Sequence, residues 1–248
     1  MRLSPIGVVV LSGMVISCNS AGPAAPPGAP EIVEKSIIFH GHDVFQSAAL
    51  SLTITSLSGS FHIDSTREDG RFEYVVTDPN RQRRVRLTND SVAEWRDDVE
   101  ASLDDEDERR ARAFVDARVF FPLLPFTLNG GDIHFEDLGL DEWDGRDLHR
   151  VKVSFTPGSS NDASDTYMFW FDPDTGRVEQ FGYDFSGGLR YRKAVAFNRV
   201  GGILFSDQEN YAIDGDRIPV DMLSAEYVAE NMSLLSTVTL SDIEVESL

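Results

Sequence analysis

Apolar and polar residues alternate with a period of two along the first part of the chain. Leucine and isoleucine alternate with serine and threonine in residues 50–55, and similar runs occur at 61–64, 72–76 and 85–87. This alternation is typical of strands that bury one face. Ser-Gly, Asp-Gly and Asp-Pro-Asn sequences separate the runs and predict tight turns. The pattern therefore predicts a meander of antiparallel strands.

The second half of the chain carries longer runs of the same kind. The aromatic run 167–171 is followed by turn-forming residues 172–176, which together predict a hairpin. Residues 234–245 predict a last strand. Further strands are predicted at 133–138, 148–155, 178–185, 189–197 and 203–211. About ten strands with a few helices predict one antiparallel α+β domain.

Three segments depart from the strand pattern. Residues 31–39 carry an apolar stripe with helical spacing and predict a short helix that ends near Gly41. Residues 91–117 are charged and contain neither glycine nor proline, which predicts one or two surface helices. Residues 120–128, Phe-Phe-Pro-Leu-Leu-Pro-Phe-Thr-Leu, are strongly apolar. Their two prolines predict irregular structure, because proline continues neither a helix nor a central strand.

The N-terminus has the features of a secretory signal. One positive charge precedes an apolar run over residues 6–16, which is too short to span a bilayer permanently. Residues 15–18, Val-Ile-Ser-Cys, resemble a bacterial lipobox, in which cleavage precedes the cysteine and the cysteine is lipidated. The resemblance implies a signal peptide over residues 1–17 and lipidation of Cys18, the only cysteine of the chain. Acyl chains at this position would anchor the protein persistently to a membrane.

The residues after Cys18 predict a tether. Residues 18–31 are rich in proline and alanine and have little to bury, so we expect them to be extended and to precede one domain over residues 32–248. Residue 19 is asparagine, whereas enterobacterial lipoproteins retained in the inner membrane have aspartate there. We therefore expect an outer-membrane lipoprotein that faces the periplasm.

The charge balance limits the possible partners. The chain has 42 acidic and 22 basic residues and a formal net charge of −20, which opposes binding to nucleic acid or to an anionic membrane through a charged face. The basic residues are almost all arginine. Such an acidic surface suits high salt, where self-repulsion is screened, so adaptation to salt is one hypothesis and a general solubility device is the other.

Candidate catalytic and metal-binding residues are sparse. His40 and His42 are two residues apart, as two zinc ligands on a strand would be, but a turn in which they cap backbone groups is the simpler interpretation. Residues 172–176 lack the spaced acids of a calcium loop. The sequence contains no Gly-x-Ser-x-Gly, phosphate-loop or His-Glu-x-x-His motif. We expect neither a metal nor a cofactor, and an enzymatic activity has no support.

A basic island over residues 81–86 stands out in this acidic chain. Two interpretations are open. The arginines either meet lipid phosphates or an acidic partner, or they pair with acidic neighbours on a solvated strand.

Several longer motifs carry a family resemblance. They are His40-Gly41 and residues 120–129, 169–176, 191–194 and 200–207. Together they are similar to a bacterial family of envelope proteins with a domain of unknown function, which in turn resembles the LolA/LolB lipoprotein-carrier superfamily. The resemblance implies an incomplete antiparallel β-barrel, or half-barrel, with helices covering its open mouth. It also implies a concave apolar cavity for an acyl chain or another hydrophobic ligand.

Residues 120–128 are the strongest candidate site under this resemblance. If they lie over the open end of the half-barrel, their side chains line or cover the cavity above the strand at 167–171. The alternative is that they fill the core, as any half-barrel requires. The candidate ligand-binding residues are Phe120, Phe121, Leu123, Leu124, Phe126, Tyr167 and Trp170.

Two functions follow from these alternatives. A half-barrel with an unfilled apolar cleft favours an envelope lipoprotein that binds a lipid or acyl chain by apolar burial. A half-barrel filled by its own side chains favours a structural or interaction module that docks an envelope protein partner.

Overall fold

The computed structural model describes residues 30–129, 132–156, 165–213 and 215–248. Cys18, the predicted signal peptide and most of the predicted tether lie outside these residues. Helices α1 to α4 span Glu31–His40, His42–Phe45, Asp105–Val119 and Leu223–Val228. Strands β1 to β13 span Ala48–Ser56, Gly59–Glu68, Arg71–Asp78, Arg83–Thr88, Val92–Arg96, Val99–Glu100, Ile133–Trp143, Arg146–Phe155, Thr166–Phe171, Val178–Phe185, Gly188–Val200, Ile203–Ile213 and Met232–Ser247.

All of these strands belong to one antiparallel sheet. Their order is β6-β5-β4-β3-β2-β1-β13-β12-β11-β10-β9-β8-β7, and each neighbouring pair is antiparallel. The last strand, β13, joins the two halves because it pairs with both β1 and β12. Within the described ranges, β6 and β7 remain the two edges of an unclosed sheet. The predicted antiparallel α+β architecture is confirmed, with more strands than the pattern indicates.

The register of the first hairpin follows the predicted alternation. Leu52 pairs with Ile63, and Ile54 pairs with Phe61. All four side chains are buried, whereas the strand positions between them are more exposed. The period of two thus places the apolar side chains of β1 and β2 on a common face.

The predicted helix over residues 91–117 is wrong for its first part. This part forms β5 and β6, which are joined by a turn at Asp97 and Asp98. Both aspartates have positive φ, which this residue tolerates better than most. The turn therefore forms without glycine or proline. For this reason, the absence of these two residues from 91–117 wrongly indicates a helix at this position.

Helix α3 begins where its acidic cap allows. The carboxylate of Asp104 accepts hydrogen bonds from the backbone N–H groups of Glu106 and Asp107, at 3.0 and 2.8 Å, which satisfies two free donors of the first turn. One side of the helix packs against β3, β4 and β5. The buried residues on that side are Ala111, Phe114, Val115 and Val119. None of the helices in the described part of the chain is long and apolar enough to cross a membrane.

Two hydrophobic clusters lie on opposite faces of the sheet, as β9 shows. Tyr167, Phe169 and Phe171 belong to a large cluster that also includes α1, α3 and strands from both halves of the sheet. Met168 and Trp170 point the other way, into a smaller cluster. We call these the inner cluster and the outer cluster. Alternation along one buried strand separates them, because successive side chains face opposite sides.

Candidate ligand-binding site

The apolar segment that follows α3 is part of the inner cluster. Residues 120–128, here called the plug segment, form successive turns and end in a short 3-10 helix at Phe126–Leu128. The irregular path agrees with the two prolines of the segment. Its buried apolar side chains are Leu123, Leu124, Phe126 and Leu128, together with Pro122 and Pro125.

The backbone of the plug segment bonds only locally. Leu123 N–H donates to the carbonyl oxygen of Val119 at 3.2 Å, and Leu128 N–H donates to that of Pro125 at 2.9 Å. In the described part of the chain, each backbone hydrogen bond of the segment joins it to itself, to α3 or to Asn129. The segment therefore contacts the sheet through its side chains.

Aromatic rings form part of this contact. Phe120 packs against Tyr167 with ring centroids 5.3 Å apart. Phe121 stacks on Phe181 at 5.6 Å and lies 5.2 Å from Tyr183. Both phenylalanines remain partly exposed. They therefore lie at the margin of the inner cluster, packed against its buried residues.

Six of the seven predicted site residues come together here, and one does not. Phe120, Phe121 and the buried plug residues meet Tyr167 in the inner cluster. Trp170 is fully buried in the outer cluster, where its ring lies 6.2 Å from that of Tyr191. The structure thus corrects the placement of Trp170 beside Tyr167, because three positions along a strand put two side chains on opposite faces.

A polar strip crosses the inner side of the sheet beside the plug segment. We define it as Arg192, Gln208 and Asn210, all buried. The guanidinium of Arg192 donates to Gln208 Oε1 and to the Tyr183 hydroxyl, each at 3.3 Å. Its central carbon lies 4.0 Å from the ring centroid of Phe121. The plug segment therefore covers a buried positive charge.

In the described part of the chain, side chains pack closely in the interior next to the plug segment. Leu123, Phe169 and Phe181 are at most 1% exposed. Three clefts of about 350, 510 and 330 Å³ lie elsewhere, lined in part by Arg83 with Arg110, by Lys35 with Phe39, and by Trp143 with Tyr227. In this conformation, the buried plug side chains pack against the inner face, where the half-barrel hypothesis places a ligand.

His40 has a structural environment at the end of α1. Its Nδ1–H donates to the Ser36 carbonyl oxygen at 2.8 Å. Burial lowers the pKa of His40 to about 4, so the ring is neutral at neutral pH. Among the described residues, no group of three or more His, Cys, Asp or Glu side chains is arranged to hold a metal ion.

The basic island pairs with acidic and aromatic neighbours over part of its length. Arg83 and Arg96 each bond to the buried carboxylate of Glu94 at 2.6 Å. Burial opposes ionisation of Glu94, but these two hydrogen bonds hold its pKa below the usual value. The guanidinium of Arg84 lies 4.7 Å from the ring centroid of Trp95. This geometry favours the interpretation in which the arginines pair within the sheet.

The polar strip is the feature that sequence reasoning misses. Arg192 lies in one of the motifs of the family resemblance, but the motif alone indicates no role for it. Its position two residues after Arg190, in a strand that alternates, indicates only that both arginines share a face. The pairing of β11 with β10 and β12 needs the structure.

Comparison with known proteins identifies the family. The model of a family of unknown function, DUF6503, matches residues 6–242. The chain therefore belongs to this family. No curated protein matches the chain.

Two solved structures show the fold. A DUF1329 family protein from Desulfovibrio piger ATCC 29098 superposes with a TM-score of 0.51 at 12% identity, over 86% of this chain and 91% of that protein. A LolA superfamily protein from Nitrosomonas europaea superposes with a TM-score of 0.50 at 11% identity, over 88% of this chain and 93% of that protein. The chain therefore has a LolA-like fold, an open antiparallel sheet accompanied by helices.

Proposed function

We propose that this protein is an envelope lipoprotein that binds a hydrophobic ligand, a lipid or an acyl chain, at the inner face of its half-barrel. In this proposal the plug segment and α3 cover the mouth. The ligand replaces plug side chains when the segment moves outward. The bound site consists of Tyr167 with the aromatic residues around it, and Phe120 and Phe121 lie at its entrance.

The bonding of the plug segment carries this proposal. Its backbone hydrogen bonds are local, so outward movement breaks none that join it to a strand in the described part of the chain. Apart from the cation–π contact between Arg192 and Phe121, the interactions that this movement disrupts are apolar. An acyl chain can replace them at about 25 cal/mol per Å² of buried area. Exchange of one apolar cover for another therefore costs little, whereas exchange of a hydrogen-bonded strand would be expensive.

The lipid anchor belongs to the same proposal. Lipidation of Cys18 would hold the domain on the membrane by a tether of about a dozen residues. We propose the periplasmic face of the outer membrane as its location. An acyl-binding domain so placed would act close to a membrane that contains its ligand.

Native mass spectrometry tests the proposed function. The chain from residue 19, which retains every described residue, is purified from cells and measured before and after extraction with organic solvent. The proposal expects an adduct of lipid-like mass that extraction removes. A protein of apo mass after gentle purification, which also fails to bind added hexadecanol, would contradict it.

A second candidate is favoured by the filled interior. If the plug segment never leaves, the domain is an interaction module that docks an envelope protein. The cleft beside α1, where Ile38 is 49% exposed, offers such a surface. Substitution Ile38→Glu would then reduce partner binding, whereas under the first proposal it leaves the lipid adduct unchanged.

A further inference from the structure

Arg192 is a buried cation without a carboxylate partner. The residue is 8% exposed and makes no ion pair with any described acidic side chain. Its two hydrogen bonds go to the neutral groups of Gln208 and Tyr183 and are long, at 3.3 Å. Its Nε–H has no partner among the described residues. Buried charges in proteins are ordinarily paired, so this guanidinium retains unused capacity to bind an anion.

A second unsatisfied atom belongs to the residue that pairs with Arg192 on the neighbouring strand. Asn210 pairs with Arg192 across the strands β11 and β12, and its Oδ1 is buried without a hydrogen-bond partner in the described part of the chain. Phe181 pairs with Arg192 on the other side. One row across the sheet thus changes from apolar Phe181 to polar Arg192 and Asn210, and these two polar residues carry an unused donor and an unused acceptor.

The plug segment connects this strip to the proposed ligand site. Phe121 covers the guanidinium of Arg192 at 4.0 Å and stacks on Phe181. Outward movement of Phe121 would therefore uncover the cation and the aromatic wall at the same time. An amphiphile that fits both features has an apolar tail and an anionic head.

We infer that Arg192 binds the anionic headgroup of the ligand, a carboxylate or a phosphate, while the inner aromatic face holds its acyl chain. This inference rests on the proposed function and specifies its ligand class. The planar guanidinium suits both headgroups, since it presents paired donors to two oxygens. The cation–π contact with Phe121 holds the charge in the absence of ligand.

The test compares ligands that share one tail. Hexadecanoic acid, hexadecyl phosphate and hexadecanol are titrated into the full chain at a pH where both acids are ionised. The net charge of −20 disfavours anions at long range, so a preference for them must arise locally. We expect at least one anion to bind about tenfold or more tightly than the alcohol. The preferred anion distinguishes a carboxylate from a phosphate headgroup.

Variants assign the preference to Arg192. Arg192→Gln should remove the preference for the anion over hexadecanol, and Arg192→Lys should restore part of the preference. Arg190→Gln is the matched control, because Arg190 lies two residues away on the same strand and packs on Phe185. Thermal unfolding of each variant verifies that it is folded.

The outcomes distinguish failure of the Arg192 inference from failure of the proposed function. Equal binding of all three compounds by the wild type, or an unchanged preference in Arg192→Gln, overturns the inference and leaves the proposed function standing. Binding of none of the compounds overturns both. Equal loss of anion preference in Arg190→Gln would assign the effect to general charge, and that result also overturns the role of Arg192.

Discussion

The two faces of the second half of the sheet are covered in different ways. The outer cluster is covered by α4 and the turn before it, and Tyr227 accepts a hydrogen bond from Lys193 Nζ at 3.3 Å and stacks on Tyr191 at 5.0 Å. The side chain of Leu223 packs closely on Gly182. A β-carbon added at Gly182 would lie 2.5 Å from Leu223 Cδ1. The inner cluster is covered by the plug segment, whose contacts with the sheet are apolar apart from the cation–π contact of Phe121 with Arg192.

The two covers differ in the kind of contact they make with the sheet rather than in whether they bury it. Both covers bury large side chains and so exclude water from the sheet. Polar bonds and close steric fit fix the outer cover in one arrangement, whereas apolar contacts tolerate replacement by other apolar groups of similar volume. One sheet therefore presents a permanent face and an exchangeable face.

The largest loss of stability should come from a substitution in the outer cluster, on the permanent face. Trp170→Ala removes a fully buried indole and should lower the free energy of unfolding by about 3–5 kcal/mol. Chemical denaturation measures this loss, and titration with hexadecanol should give an unchanged affinity under conditions where the variant is folded. A loss of hexadecanol affinity would indicate that the outer cluster is part of the ligand site.

Acid should lower the free energy of unfolding through protonation of His40, which is buried at the end of α1. Burial lowers the pKa of His40 to about 4 in the folded protein, and an unfolded histidine titrates near pH 6.5. Its contribution to stability is thus complete above about pH 6.5 and is lost as the pH falls to about 4, a loss of up to about 3 kcal/mol. Denaturation across this window should show a flatter pH dependence for His40→Gln than for the wild type. Parallel curves for the two proteins would contradict this role.

A pair of buried leucines compares the plug segment with the sheet residues beneath the outer cover. Leu123 in the plug segment and Leu148 in the outer cluster are both fully buried. Leu148→Ala should cost more than Leu123→Ala by about 2 kcal/mol, because a loosely held segment can collapse into the space. Saturating hexadecanol should stabilise Leu123→Ala at least as much as the wild type. Equal losses of stability, together with no ligand effect in either variant, would contradict the distinction.

The smallest effect should come from the polar bond of the outer cover. Tyr227→Phe removes the hydroxyl that accepts from Lys193 and should lower the free energy of unfolding by about 1 kcal/mol. Hydrogen exchange of α4 should accelerate while that of the plug segment stays constant. Acceleration in both segments would show that the two covers are coupled.

Much of the sheet can be predicted from the chain. Alternation in β1 to β4 and the turn-forming residues after β9 indicate antiparallel hairpins, because a half-buried strand requires that pattern. The turn at Asp97 and Asp98 is not predictable in this way, since its left-handed residues are aspartates in a charged segment that also suits a helix. Local propensity alone does not decide between these structures.

The candidate site is predictable in composition but less so in geometry. The prolines and phenylalanines of the plug segment indicate an irregular apolar cover. Composition groups Trp170 with Tyr167, although strand periodicity separates them. The position of Arg192 beneath Phe121 depends on contacts between segments about 70 residues apart, which no local pattern contains.

Hydrogen–deuterium exchange with and without hexadecanol tests the exchangeable cover most directly. The account predicts that bound hexadecanol accelerates exchange of the plug-segment amides, including that of Leu123, while α4 keeps its exchange rate. The bound chain would then have replaced the segment against the inner face. Bound hexadecanol that leaves the plug segment unchanged or protects it would contradict the account, since the ligand would then occupy another site.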